Sequence, residues 1–173
     1  MRRDIATLSV ALVDHGVKIA VRRPRESAPR TRRLHPGEEQ AILNAMRNGI
    51  VRDAFLLALE TACRRSELLG LRWRNVNLES RIISVTGKTG ERLVALSSRA
   101  AEVLDNRDKN SAIVFPMTML AFRSEWVRTL RRAGSDFHFH DCRREAISRW
   151  FEHGLSVGEA MQLTGHKSTN GGC

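Results

Sequence analysis

An arginine-rich segment at residues 21–33 sets the strongest limit on how this chain can fold. The segment holds six arginines, two prolines and one acidic residue. Like charges repel one another and offer nothing to bury, so the segment cannot join a hydrophobic core and is predicted to be an extended linker. Residues 1–20 carry only a short apolar-periodic stretch, too short to form a stable helix alone. A packed core is therefore expected only from Leu34 onward.

The composition predicts one soluble domain with a polyanionic partner. Of the 173 residues, 42% are apolar and 28% are charged, which is enough for a single core. The net charge of +10 favours nucleic acid as the partner, with an anionic membrane surface as the weaker alternative. The sequence shows neither an apolar run long enough to span a bilayer nor a signal-peptide core. We expect a cytoplasmic protein.

Three cysteines at scattered positions, Cys63, Cys142 and Cys173, indicate neither a disulfide framework nor a paired metal motif. The segment His138–Cys142 has a spacing found among metal ligands, but no second cluster completes a four-ligand site. We therefore predict no metal. Cys63 and Cys142 are interpreted as small buried packing residues.

Helical patterns outnumber strand patterns from Leu34 onward. Capping residues and apolar spacing predict a helix that ends near Asn48, a second over about residues 51–63 and a third that begins near Ser66. β-Rich runs at residues 81–86 and 91–96 predict a hairpin with Lys88 at its turn. Three more helices are predicted over about residues 119–133, 140–153 and 156–163. Four aromatic residues on these helices are interpreted as core: Phe122, Trp126, Trp150 and Phe151.

Several short motifs carry basic groups suited to a phosphodiester. Arg143 follows His140 by three residues, so on a helix the two side chains project from one face toward one phosphate. Attack at phosphorus builds charge on the nonbridging oxygens, which suits guanidinium groups such as those of Arg143 and Arg64. Lys88 can swing its ammonium toward a leaving oxygen. The imidazole of His166, which follows a glycine, can donate to a phosphate oxygen.

Each of these residues also has a simpler interpretation. A single arginine of a basic chain is usually a surface charge, Lys88 alone is most simply a turn lysine, and a lone histidine such as His166 is usually just exposed. Glu67, three residues after Arg64, is either an ordinary surface acid or the partner that fixes the guanidinium. The order of the motifs along one chain favours a phosphate site.

The arginines of the linker have two interpretations as well. They are either a solvated spacer or a basic strap along a DNA backbone. We favour the strap, because the charge is nearly all of one sign. The predicted DNA-binding residues of this segment are Arg22, Arg23, Arg25, Arg30, Arg32 and Arg33.

Taken together, the motifs resemble the catalytic domain of the tyrosine recombinases, also called the phage integrase family. The similarity covers about residues 34–169 and is most specific at Arg64–Trp73 and His140–His166. It implies a mainly α-helical α+β fold with a small β-sheet. It also implies a double-stranded DNA partner and, for family members, a tetramer of recombinase subunits on DNA.

The resemblance implies a role for each basic residue. Arg64 and Arg143 match the arginines that clamp the scissile phosphate, and Lys88 matches the lysine that protonates the leaving 5′ oxygen. His140 matches a residue that assists proton transfer or holds the phosphate, and His166 matches one that binds a phosphate oxygen. No metal or nucleotide cofactor is required, because the covalent intermediate conserves the energy of the broken bond.

The sequence departs from the family pattern at several positions. Ala62-Cys63 replaces a usual Gly-Leu pair, and Cys142 and Thr164 each replace a usual leucine, which we interpret as tolerable packing changes. In relatives a nucleophilic tyrosine follows the histidine that matches His166, whereas these 173 residues contain no tyrosine. We therefore expect a piece of an integrase. Residues 1–20 are then a remnant of a preceding helical DNA-clamping domain, 21–33 the linker, and 34–173 a catalytic domain truncated at its C-terminus.

Three functions are compatible with these residues. The first is site-specific recombination, in which the parent protein breaks and rejoins DNA through a 3′-phosphotyrosyl intermediate. The second is a catalytically inactive DNA-binding fragment that lacks the tyrosine. The third is a basic regulatory or architectural protein with no active site. We favour the first for the parent protein and expect this chain alone to be inactive.

Overall fold

A computed structural model of the protein describes residues 31–87 and 90–164, which form an α+β domain made mainly of helices. Helices come first: α1 (Glu38–Ala45), α2 (Gly49–Thr61) and α3 (Arg65–Leu69). A 3-10 turn, Trp73–Asn75, leads into the strands β1 (Val76–Asn77), β2 (Ile82–Gly87) and β3 (Gly90–Ala95). The remaining helices are α4 (Ser98–Asp105), α5 (Met119–Ala133), α6 (Asp141–Glu152) and α7 (Val157–Thr164). The predicted fold class is confirmed.

Local capping chemistry accounts for where the helices begin and end. The side chain of Asn48 accepts a hydrogen bond from the Val51 amide at the start of α2, and Thr118 does the same at the start of α5. Ser97 accepts a hydrogen bond from the amide of Ala100 at the start of α4. Gly134 ends α5 with a φ of 65°, a left-handed conformation that glycine adopts without steric cost.

The strands form an antiparallel sheet in the order β1-β2-β3. On the inner face, Ile83 pairs with Val94 and Val85 pairs with Arg92. Leu93 points to the other face and is 64% exposed. The hairpin therefore places Arg92, a charged residue, on the face of the sheet that packs against the core.

Helix α2 is the centre of the core, because almost every side chain from Ala54 to Leu59 is buried. It packs against α4 and α6. Trp126 of α5 contacts Phe55 and Phe139, with ring centroids 5.3 and 5.2 Å apart. Of the described helices, none is long and apolar enough to cross a membrane.

Two of the four aromatic residues predicted to be core differ from that prediction. Phe122 and Trp126 are buried, but Trp150 is half-buried and Phe151 is 43% exposed. Phe151 lies five residues after the buried Ala146, which places it about 140° around the helix axis from the buried face of α6. The aromatic character of Phe151 was therefore a misleading signal of burial.

Candidate functional site

The end of α2 and the start of α3 place Arg64 beside a buried carboxylate. Arg64 precedes α3, and Glu67 accepts hydrogen bonds from both its backbone amide, at 2.8 Å, and its Nη1, at 2.7 Å. The side chain of Glu67 is 1% exposed, whereas that of Arg64 is 30% exposed. The buried Glu67 therefore fixes the Arg64 guanidinium, and part of that guanidinium remains exposed to solvent. The predicted contact between the two residues is present.

The turn between α2 and α3 depends on an unusual backbone conformation. Ala62 has a φ of 53° and a ψ of 21°, in the left-handed region that favours glycine. The substitution at this position therefore affects the backbone as well as the packing, because a Cβ stands where the backbone conformation disfavours one. The carbonyl of Ala62 also has a direct role, since it accepts a hydrogen bond from Arg143.

Two backbone carbonyls hold the guanidinium of Arg143. Its Nη1 donates to the Ala62 carbonyl and its Nη2 to the Thr164 carbonyl, each at 2.7 Å. The residue is 6% exposed. Burial, and then the positive charges of Arg64 and Arg92, lower the pKa of Arg143 to about 10, so that it remains a cation at neutral pH. The guanidinium of Arg143 is therefore fixed in place and positively charged.

His140 stands at the start of α6, three residues before Arg143. It is exposed, and it lines the groove described below. Partial burial, and then the charges of Arg144 and Arg143, lower the pKa of His140 below its usual value. At neutral pH the imidazole is therefore neutral and can either accept or donate a proton.

Arg64 and His140 line a groove of about 550 Å³. One wall is formed by residues at the start of α3, Arg64–Ser66, and another by the segment His138–His140. The third wall is α5, which contributes Arg123 beside apolar side chains such as Val127. The groove thus combines cationic groups with an apolar wall.

Arg92 belongs to the same site as Arg64 and Glu67. The sequence motifs did not identify it. Its Nη2 donates to Glu67 at 2.8 Å and its Nη1 to the Leu163 carbonyl at 2.5 Å. A signal was available in the alternation of β3, because Arg92 shares a face with Val94 while Leu93 takes the other. The partner residues could not be inferred, since Leu163 is 71 residues away along the chain.

Arg32 and Arg33, two of the predicted strap residues, lie against acidic groups of the domain. Arg32 pairs with Glu38 at 2.5 Å and with Asp136 at 2.9 Å. Arg33 pairs with Glu145 at 3.2 Å and with Glu152 at 2.5 Å. The other candidate site residues lie outside the described residues: Arg22, Arg23, Arg25, Arg30, Lys88 and His166.

Both described cysteines are buried and carry free thiols, in agreement with a packing role. Burial raises the pKa of the Cys63 thiol and of the Cys142 thiol, so neither is a reactive thiolate at neutral pH. Within residues 31–87 and 90–164, no group of three or more His, Cys, Asp or Glu side chains could hold a metal ion.

Comparison with other sequences gives a consistent set of relatives. The chain is 40% identical to a shufflon-specific DNA recombinase of Escherichia coli over 157 residues, which are 87% of this chain and 41% of the relative. It is 28% identical to a putative integrase/recombinase of Haemophilus influenzae over 167 residues, which are 84% of this chain and 44% of the relative. The chain thus spans less than half the length of these two curated relatives.

Solved structures share the fold. A lambda integrase dimer (residues 75–356) bound to a COC′ core site gives a TM-score of 0.74 at 22% identity, with 95% of this chain and 69% of that chain covered. A lambda integrase tetramer bound to a Holliday junction gives 0.73 at 21% identity, with 95% and 56% covered. The sequence profile of the Phage integrase family matches residues 32–171, which is most of the chain. This protein therefore belongs to the phage integrase family.

Proposed function

We propose that this chain provides the phosphate-binding part of a site-specific DNA recombinase, which in the parent protein breaks and rejoins DNA through a 3′-phosphotyrosyl intermediate. The observation that carries the proposal is that Arg64 and His140 line one groove, that the charge of Arg143 acts on His140, and that both arginines are held by fixed partners. The shufflon-specific recombinase and the DNA-bound lambda integrase support double-stranded DNA as the partner. The tetramer of lambda integrase supports assembly with other subunits on DNA.

The two arginines act on the nonbridging oxygens of the scissile phosphate. A guanidinium has five N–H donors, so the contacts of Arg64 with Glu67 and of Arg143 with two carbonyls leave others for phosphate oxygens. Because these contacts exist before DNA binds, the donors need little rearrangement when charge develops in the transition state.

The chemical step is an attack by a tyrosine oxygen on phosphorus. The phenol passes its proton to a base, a bond forms between its oxygen and phosphorus, and the bond from phosphorus to the 5′ oxygen breaks. His140, neutral at the working pH, assists proton transfer or holds the phosphate, and Lys88 gives a proton to the 5′ oxygen. His166 binds a phosphate oxygen. The roles of Lys88 and His166 follow from the resemblance to the family.

A DNA-binding role without cleavage is the alternative for this polypeptide by itself. The sequence contains no tyrosine, and its net charge is +10. A clamp without a nucleophile binds a phosphodiester and leaves it intact. The nucleophile of the proposed reaction must therefore come from residues other than these 173.

The experiment supplies that nucleophile. The tyrosine-containing segment of the shufflon-specific recombinase is fused after Cys173, and the extended protein is incubated with nicked duplexes that carry candidate sites from the DNA flanking the gene. A denaturing gel detects protein-linked DNA. We expect an adduct from the extended protein and none from the 173-residue chain.

Variants of the extended protein test the clamp. Arg143→Ala is expected to lower the rate of adduct formation by about 10²- to 10³-fold, the usual cost of one transition-state donor. Arg131→Ala, which removes an exposed arginine of α5, is the matched control and should leave the rate unchanged. An adduct from the unextended chain would contradict the requirement for tyrosine, and a full rate with Arg143→Ala would contradict the clamp.

A further inference from the structure

We propose that Arg92 is a positioning residue, which balances the charge of Glu67 so that the charge of Arg64 remains available to the phosphate. This inference rests on the proposed function, because it assumes that Arg64 binds the scissile phosphate. Arg92 lies on β3 and is not among the residues that line the groove in the described part of the chain. Its Nη2 donates to Glu67, and the proposed effect on Arg64 passes through that carboxylate.

The carboxylate of Glu67 is divided between two arginines. Its Oε1 accepts from Arg64 Nη1 at 2.7 Å, and its Oε2 accepts from Arg92 Nη2 at 2.8 Å and from the Arg64 backbone amide at 2.8 Å. The side chain of Arg92 is only 9% exposed. Both carboxylate oxygens thus accept hydrogen bonds, and each guanidinium holds one of them.

Arg92 also ties the carboxylate to the rest of the site. Its Nη1 donates to the Leu163 carbonyl at the end of α7, one residue before the carbonyl that Arg143 binds. Its Nη2 lies 3.7 Å from the Sγ of Cys63, the residue before Arg64. Arg92 therefore holds Glu67 in a position set jointly by α3, β3 and α7.

Charge counting shows why a second arginine matters. A buried pair of Arg64 and Glu67 alone would be neutral, and its attraction for a phosphate would be weak. With Arg92 on the other oxygen, one positive charge stays uncompensated beside the groove, and Arg143 adds another. Uncompensated charge in a partly buried site acts strongly on a phosphate, because the effective dielectric there is lower than that of water.

A purely structural role for Arg92 is the competing explanation. Removing a buried arginine leaves the Leu163 carbonyl and Glu67 without a donor, which lowers stability whatever the function. Arg107 offers a matched control for this. Its side chain is 10% exposed, and it pairs with one carboxylate, that of Asp53 at 2.6 Å, and one carbonyl, that of Val114 at 3.0 Å.

The test measures binding of the 173-residue chain to a duplex oligonucleotide over a series of salt concentrations. Arg64→Ala should lower the slope of log affinity against log salt by about one, because one phosphate contact is lost. Arg92→Met should lower it by the same amount although Arg92 is buried, and the double variant should show no further decrease. Arg92→Lys keeps the charge and should restore the slope. Arg107→Met should lower the urea concentration at the midpoint of unfolding. It should leave the slope of log affinity against log salt unchanged.

A second pair of variants covers the case in which Arg92→Met folds poorly. In Glu67→Gln/Arg92→Met, both the carboxylate and its balancing charge are absent, so the charge of Arg64 is again uncompensated and the slope should return toward that of the native chain. Circular dichroism verifies the folded fraction of each protein before binding is measured.

The outcomes separate the two proposals. A native slope with folded Arg92→Met, or an added loss when Arg64→Ala is already present, would overturn the positioning role and leave the clamp intact. A native slope with Arg64→Ala would instead overturn the proposed function, because the clamp arginine would then have no phosphate contact.

Discussion

Glu67 and Glu145 are two buried glutamates with nearly the same partners and different consequences. The side chain of Glu67 is 1% exposed and accepts from two arginines and the Arg64 backbone amide. The side chain of Glu145 is 4% exposed and accepts from Arg33, from Arg149 and from the backbone amide of Leu34. By burial and hydrogen bonding alone, the two carboxylates are almost equivalent.

The difference lies in what else the arginines contact. Around Glu145, Arg149 also pairs with Glu39 at 2.7 Å, and Arg33 also pairs with Glu152 at 2.5 Å. Around Glu67, Arg92 also contacts the Leu163 carbonyl and the Cys63 thiol, which carry no charge at neutral pH. The first cluster sets three carboxylates against two arginines and so has no surplus of positive charge, whereas the second keeps one. Charge surplus, and not the number of arginines, therefore separates the proposed phosphate site from the Glu145 network.

The largest expected effect concerns stability, where the two glutamates should behave alike. Glu67→Gln and Glu145→Gln should each lower the free energy of unfolding by about 3–5 kcal/mol, the usual cost of removing one partner of a buried ion pair. Urea unfolding followed by circular dichroism measures this, with Glu102→Gln on the exposed face of α4 as the control. If only one of the two substitutions lowers the free energy of unfolding by this amount, the two clusters are not equivalent in stability.

The same pair has a predictable pH dependence. Burial opposes ionisation, but the hydrogen bonds from arginine and backbone outweigh it and lower the pKa of Glu67 and of Glu145. A carboxyl with a lower pKa in the folded state contributes stability above its ordinary value of 4.5, and this contribution is lost as the pH falls through the folded pKa. Below pH 4.5 the native protein should therefore approach the stability of the glutamine variants.

Next in size is the salt dependence of DNA binding, where the arginines before residue 31 should differ from Arg32 and Arg33, which are paired with acidic groups. The quadruple variant Arg22→Ala/Arg23→Ala/Arg25→Ala/Arg30→Ala should lower the slope of log affinity against log salt by about four if each residue contacts one phosphate. Arg32→Ala/Arg33→Ala should leave the slope unchanged, because acidic partners already occupy both side chains. A loss of about two from the double variant would instead extend the DNA strap to the paired arginines.

A smaller effect should appear in the pH dependence of DNA binding. The pKa of His140 is lowered by partial burial and by neighbouring arginines. A bound phosphate offsets those positive charges and raises this pKa, so affinity should rise a few-fold when the pH falls from about 8 to about 6. Fluorescence anisotropy measures the change. His140→Gln should abolish it, and His153→Gln, at the other end of α6, should retain it.

The smallest expected effect belongs to Ala62. Glycine at this position removes the steric cost of a φ of 53°, but it also removes a fully buried methyl group. Each term is about 1 kcal/mol and they oppose one another, so Ala62→Gly should change the free energy of unfolding by less than about 1 kcal/mol. A gain of more than 2 kcal/mol in urea unfolding would show that the turn stores more strain than the backbone angles indicate.

Local patterns in the sequence predicted most of the fold and only the local part of the site. Helix α5 has the predicted bounds, residues 119–133, because capping and apolar periodicity agree there. The pair Arg64 and Glu67 was foreseeable because its members lie three residues apart. The contacts of Arg92 could not be predicted, since they join residues 25 and 71 positions apart. Only the packed fold brings these residues together.

The bonds that hold the end of α7 also determine when the clamp can exist during folding. Arg143 reaches the carbonyls of Ala62 and Thr164, which are 81 and 21 residues away, and Arg92 reaches the Leu163 carbonyl across 71 residues. Contacts with such long loops form late, because the entropy of loop closure must be overcome before they contribute. A growing or partly folded chain thus has helices before it has a clamp. If these residues bind a phosphate as proposed, this order ties that capacity to the completion of the domain.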